Sequence, residues 1–254
     1  MWRYATARTT GTSHLKTGSP CQDRFACLQV EDDIIVLALA DGAGSGKMSE
    51  SGAEAAVNTV VDVVEELIRQ GGSDFKAIIQ EAVVEARKTV QSIAIEQSVL
   101  MRDLASTLLV VIMGKNGGAA AQIGDGVIAV RSGDDEWCWV FWPQHGEFVN
   151  TTRFLTEDDA LDHLQVDSLP AAVSDLVLLS DGLERLALNF STKEIFEPFF
   201  TGLSKPLVSS PGVGKIVSLS TKLEAFIKSE RICSRSDDDI SLILATSRPQ
   251  PPQS

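Results

Sequence analysis

The feature that most constrains the fold is a set of short, almost wholly apolar runs, each bounded by an aspartate. Ile34-Ile35-Val36-Leu37-Ala38-Leu39-Ala40 ends in Asp41-Gly42, and Ala119-Ala120-Ala121-Gln122-Ile123 ends in Gly124-Asp125-Gly126. Leu176-Val177-Leu178-Leu179 ends in Ser180-Asp181-Gly182, and Asp237-Asp238-Asp239 opens Ile240-Ser241-Leu242-Ile243-Leu244. Each run has the length and residue type of a buried strand. If the bounded ends converge, several carboxylates share one small volume. Such a cluster is electrostatically unfavourable unless a divalent cation fills it. Asp-Gly is also an ordinary hairpin turn, so no single copy argues for a site. The order and neighbours of the whole series carry the argument.

Around those runs the chain reads as α+β. Residues 1–40 have the pattern of two or three strands, and 45–51 form a Gly/Ser loop. Ser51 and Glu54 have capping-box spacing. Ala53, Ala56, Val57, Val60, Val61, Val64 and Leu67 recur at helical spacing until Gly71-Gly72. A second apolar stripe from Phe75 to Ile93 predicts an antiparallel helical pair. A β-rich block starts at Ser106, and the aromatic cluster Trp137, Trp139, Phe141 and Trp142 near its end reads as packing. Thr156, before Glu157, Asp158 and Asp159, predicts a capped helix start within a long connection. Further helices are expected near 192–200 and 211–229. No repeat or linker divides the chain, so 1–246 is expected to be one domain and 247–254 a disordered polar tail.

Composition narrows the function. A net charge of −13 opposes binding to nucleic acid or an anionic membrane. No apolar run is long enough to span a bilayer, and the first residues lack an apolar signal region. Cys21, Cys27, Cys138 and Cys233 form no CxxC pair and no zinc set with the three histidines. Free thiols in a reducing, cytoplasmic setting are expected.

The full series is Cys21-Gln22-Asp23, Asp41-Gly42-Ala43-Gly44-Ser45, Ala105-Ser106-Thr107 and Gly124-Asp125-Gly126, then Ser180-Asp181-Gly182-Leu183-Glu184 and Asp238-Asp239-Ile240-Ser241. In order and spacing it resembles the PP2C-type metal-dependent serine/threonine protein phosphatases, most closely a compact bacterial branch. The resemblance spans about residues 10 to 245. It implies a four-layer α-β-β-α sandwich, in which two antiparallel sheets pack face to face between helices and the metal centre lies at one end.

It also implies a chemistry. A phosphate monoester resists hydrolysis because water is a weak nucleophile and the ester is already anionic. Two divalent ions about 3.5–4 Å apart acidify a bridging water and neutralise the phosphoryl oxygens. Mn²⁺ or Mg²⁺ suits an all-oxygen ligand set. By the resemblance, Asp41 bridges both ions and the Gly42 carbonyl ligates one. Asp23 lies near the pair, and Asp181 and Asp238 complete the other shell. Asp125 joins Asp181 at a weaker third site. Asp238 is chosen over Asp239 because Asp239 stands where the family usually has Asn.

Three positions depart from that pattern. Gln22 replaces a common Glu, Gly18 stands at the usual phosphate-binding Arg, and Ala43 stands at the His proposed as general acid. Lys16, Arg24 and Lys47 are candidate cations for phosphate. His14 is the candidate proton donor, histidine being suited to proton transfer near neutral pH. Residues 146–156 resemble the variable flap beside the active centre in that branch.

The implied substrate is a phosphorylated protein, and a cognate Ser/Thr kinase is an implied partner. A nucleotide-binding reading of Gly42-Ala-Gly-Ser-Gly-Lys47 fails on spacing. A Walker A loop needs Gly at 41 and Ser or Thr at 48, which are Asp41 and Met48. The remaining alternative is a catalytically inactive domain that binds metal or a partner, supported by Ala43 and Gly18.

Overall fold

The computed structural model describes residues 1–31, 33–144 and 152–249. The chain begins β1 (Arg3–Thr9), α1 (Thr12–Thr17), β2 (Arg24–Val30), β3 (Ile34–Ala40), α2 (Ser49–Arg69) and α3 (Phe75–Gln97). It continues β4 (Leu108–Gly114), β5 (Gly117–Ile123), β6 (Val127–Ser132), β7 (Cys138–Trp139), β8 (Gln165–Leu169) and β9 (Val173–Leu179). Then come α4 (Glu184–Ala187), a small ribbon of β10 (Leu188–Asn189) and β11 (Glu194–Ile195), and α5 (Glu197–Val208). It ends with β12 (Gly214–Lys215), α6 (Val217–Ile227), α7 (Glu230–Cys233) and β13 (Ile240–Thr246).

Two sheets form. The first has the order β12-β1-β13-β9-β6-β7 and the second β2-β3-β4-β5-β8. All pairings within them are antiparallel except that of the edge strand β12 with β1. Alternate residues of β3 show how the layers stack. Ile35, Leu37 and Leu39 meet Ile128, Leu178 and Ile243 of the other sheet. Val36, Ala38 and Ala40 meet α2 and α3. On the far face of the first sheet, Ala7, Val177 and Leu242 pack with Phe200 and Leu203 of α5 and Ile227 of α6. The result is the expected four-layer α-β-β-α sandwich. A strand covered on both faces must be apolar at odd and even positions alike, which is why these runs lack alternation.

Several local expectations are corrected. Helix α2 starts at Ser49, which places Ser51 and Glu54 inside it, and its start has no side-chain cap. The Met48 N–H instead donates to Asp103 O at 2.8 Å, so a tertiary contact fixes the entry. Thr156 opens a turn that leads only to a 3₁₀ segment at Ala160–His163. Helix α5 starts later than 192 because the β10–β11 ribbon occupies that stretch. Helix α6 starts later than 211 because Gly212 and Gly214 have φ of 104° and 69°, outside the helical region. Of the aromatic cluster, Trp137 packs on Phe200 at 5.5 Å, while Trp139 is 39% exposed. At the C-terminal end, the Ser247 N–H donates to Ser174 O and Arg248 pairs with Asp175 and Asp134, so the chain is held through Arg248. The rest of the expected tail, 250–254, lies outside the described residues.

Candidate metal centre

Strand register gathers the aspartates. In the second sheet Arg24 pairs with Ala40, so the preceding Asp23 and the following Asp41 leave the same end together. In the first sheet Val127 pairs with Leu179, which brings Asp125 and Asp181 to one edge. Leu242 also lies opposite Leu179, so Asp238 and Asp239 enter β13 beside Asp181. Ser180 and Ser241 lock that junction: the Ser180 N–H donates to Ser241 O, and the Ser241 N–H donates to Ser180 Oγ.

The charges of these groups act on one another. Burial pushes the Asp41 carboxyl well above the usual carboxylate range, and the charges of Asp23, Asp181 and Asp238 add to it. Asp23 is fully buried and raised to about 7, first by burial and then by Asp239. Asp125 is raised to about 8 by burial and Asp181. Asp238, which stands more open to solvent, is raised by burial and Asp181. Glu184, not singled out as a candidate from the sequence, is raised to about 7 by burial and Asp181. Its place three residues after Asp181 is the signal that could have found it.

The backbone here is closely held. The Asp41 N–H donates to Thr107 Oγ1 at 3.0 Å, and the Thr107 N–H donates to Asp41 O at 2.8 Å. A Cβ at Gly42 would lie 2.9 Å from both Cβ and the carbonyl oxygen of Gln22, so no side chain fits there. Both carboxylate oxygens of Asp23 and Oδ1 of Asp181 are buried without a hydrogen-bond partner. Orphaned buried anionic oxygens are costly. An all-oxygen set of this charge fits hard divalent cations such as Mn²⁺ or Mg²⁺. Among the described residues, however, no three acidic, His or Cys side chains form a ready-made cage around one point.

The other candidates divide. Gly18 caps α1 with φ of 72°, a left-handed conformation that disfavours Arg there. Arg24 is committed to Glu50 and Glu54, and only Lys16 and Lys47 of the three named cations stay exposed without an ion pair among the described residues. His14 Nδ1 lies 3.0 Å from Asp239 Oδ1, and its Nε2 would lie 3.7 Å from a Cβ on Gly44, beside Ala43.

Asp239 is more than a substitute for Asn, a correction to the sequence reading. Its Oδ1 accepts from the Gly11 N–H at 2.7 Å and its Oδ2 from the Gln22 N–H at 2.6 Å. Asn has only one acceptor oxygen and cannot serve both. Of the expected flap, 146–151 lies outside the described residues. Beyond it, Thr152 Oγ1 donates to Asp125 Oδ2, and the Leu155 N–H donates to Ser106 O at 2.8 Å.

The raised carboxyls set a pH dependence. Their folded pKa values exceed the unfolded ones, so the metal-free fold is favoured by protonation. That contribution is present below about pH 4 and is lost as pH rises towards 7 to 8, the values for Asp23, Glu184 and Asp125. In EDTA, the melting temperature should therefore fall between pH 5 and 8. Mn²⁺ at about 100 times its dissociation constant should add roughly 2.7 kcal/mol and flatten the fall. Thermal melts across pH, with and without Mn²⁺, check this. A pH-independent EDTA series would contradict the crowded cluster.

The chain is similar to known proteins over almost its whole length. The protein phosphatase 2C family model matches residues 10–228. Serine/threonine-protein phosphatase 3 of Escherichia coli (strain K12) is 30% identical over 249 residues, covering 96% of this chain and 98% of that protein. The structure of serine/threonine phosphatase Stp1 from Staphylococcus aureus superposes with a TM-score of 0.65 at 14% identity, covering 98% of this chain and 96% of that one. PppA, a regulatory component of T6SS in Pseudomonas aeruginosa, gives a TM-score of 0.65 at 17% identity, covering 96% and 97%. A family match over most of the chain, on a sandwich whose acidic edges meet at one end, has one consequence: this chain belongs to the protein phosphatase 2C family.

Proposed function

We propose that this protein is a cytoplasmic, metal-dependent phosphatase that hydrolyses phosphoserine and phosphothreonine in proteins phosphorylated by a cognate kinase. The observation that carries the reading is the convergence of Asp23, Asp41, Asp181 and Asp238, with oxygens of Asp23 and Asp181 left orphaned. The name of the E. coli relative, similar over nearly its whole length, supports the substrate class. Among the described residues, no helix is long and apolar enough to cross a membrane.

Asp41 and the Gly42 carbonyl would hold two Mn²⁺ or Mg²⁺ ions with Asp181 and Asp238. Asp23 would lie beside them, and Asp125 with Asp181 would hold a third, weaker ion. When bound, the metal supplies an acidified water and neutralises charge on the phosphoryl oxygens. Thr107 holds Asp41 in place, and Gly42 lets the backbone come close. His14 has its Nδ1 3.0 Å from Asp239 Oδ1 and its Nε2 near Gly44, next to Ala43, where relatives have their own His. His14 would protonate the leaving serine or threonine oxygen. Exposed Lys47, on the loop after Asp41, would attract the phosphate.

His14→Ala should lower kcat on a phosphoserine peptide about 10²-fold or more. It should cost much less on an aryl phosphate, whose leaving group needs no proton. Equal loss on both substrates, or none, would remove His14 from proton delivery.

The whole reading is tested by phosphate release from a phosphothreonine peptide in Mn²⁺ and in EDTA. Mn²⁺-dependent turnover is expected. Mn²⁺ binding without turnover would instead establish the alternative of an inactive metal- or partner-binding domain, which Ala43 and Gly18 favour.

A further inference from the structure

Away from the acidic edge, helices α5 and α6 stand apart over the outer face of the first sheet. Between them lies a cavity of about 890 Å³ whose floor includes Ala5 of β1 and Leu244 of β13. That volume lies within the range of about 300–1,000 Å³ typical of small-molecule sites. The other helical layer shows no such gap, since α2 and α3 pack directly on each other. The walls are apolar, and Phe190 and Phe196 at 40% and 54% exposure extend them outward. The lining residues Leu207, Ile232 and Leu244 are almost closed to water, so the floor of the slot is packed and its open volume lies above them. A helix about 10–12 Å across would exhaust a volume of about 890 Å³ in about two turns, whereas a single aliphatic chain fits within it.

Two features mark the slot as more than loose packing. Helix α5 carries Gly202 and Pro206 in its interior, the residues a helix tolerates least, and both line the cavity. A Cβ at Gly202 would meet nothing within 4 Å, so the glycine leaves space open rather than relieving a clash. The second feature is charge. Lys222, Arg231 and Arg235 line the slot with exposed side chains that make no ion pair or side-chain hydrogen bond among the described residues, and Arg185 lies beside them. Unpaired cations clustered on a chain of net charge −13 are matched to an anionic head group.

We propose that the α5–α6 slot binds a single-chain anionic amphiphile, a long-chain carboxylate, with its tail between the helices and its head at Lys222, Arg231 and Arg235. The proposal does not depend on the phosphatase reading.

Isothermal titration of the full-length protein with laurate below its micelle concentration tests it. Saturable one-to-one binding is expected. Gly202→Leu should fill the slot and abolish binding while leaving the melting temperature equal or higher. Arg231→Glu with Arg235→Glu should weaken binding at least about tenfold with the fold intact by circular dichroism. Dodecyltrimethylammonium, with the same tail and opposite charge, should not bind. Absence of laurate binding to the folded wild-type protein would overturn the proposal. So would laurate binding unchanged in Gly202→Leu, or equal affinity for the cationic analogue. A concentration-dependent dimer that closes the slot would overturn it too, by assigning the face to a second copy of the chain.

Discussion

Replacing Asp41 by Asn should lower phosphatase activity at least about a hundredfold, a few kcal/mol of barrier, with the fold intact. The residue follows β3 directly, and Thr107 holds its backbone on both sides, so the substitution changes charge rather than position. Asn keeps the volume but has one fewer anionic ligand, so metal affinity and the acidity of a metal-bound water should both fall. In EDTA the variant should be as stable as the wild type or more so, because the Asp41 carboxyl is already opposed by burial and by Asp23 and Asp181. Steady-state kinetics across a Mn²⁺ titration, paired with melts in EDTA, separate these effects. Near-normal activity at saturating Mn²⁺ would contradict the assigned role.

Asp239→Asn is the second change expected to have a large effect. Read from sequence alone, it restores a residue usual in the family and should be nearly silent. The structure predicts otherwise. One of the Gly11 and Gln22 N–H groups, both buried at this carboxylate, would face an amide NH₂ instead of an acceptor. Leaving a buried donor unsatisfied costs about 1–3 kcal/mol. An opposing term is relief of repulsion, since the Asp239 charge helps raise Asp23. That relief matters most without a cation, so the loss of stability should be larger in Mn²⁺ than in EDTA. His14 also loses its anionic partner, so the kcat loss should be greater for a phosphoserine peptide than for an aryl phosphate. Denaturant unfolding in both conditions and the two-substrate comparison check these points. A variant identical to the wild type in both would show that the carboxylate pairs seen here carry no energy.

The fold was most legible where one element is covered on both faces. Strands β3 and β9 announce themselves as continuous apolar runs, and α2 and α3 by apolar residues at helical spacing. The aspartates at the ends were legible for the same reason, since each marks the point where an apolar run stops. What could not be read depends on contacts distant in the chain. The start of α2 follows from a hydrogen bond to Asp103 rather than from Ser51 and Glu54. Asp239 matters because its carboxylate meets the Gly11 N–H, 228 residues away. Gly18 looked like a lost phosphate ligand, and only the backbone shows it as the left-handed cap of α1. The slot between α5 and α6 was invisible because each helix alone has an ordinary apolar face.

The central claim is that the aspartates at these strand ends hold the catalytic metal. Crystals soaked in Mn²⁺, with anomalous peaks located, test it most directly. The account predicts two strong peaks in contact with Asp41, with Asp181 and Asp238 on one of them, and a weaker third beside Asp125. No peak at Asp41, or Mn²⁺ bound only elsewhere on the acidic surface, would contradict it.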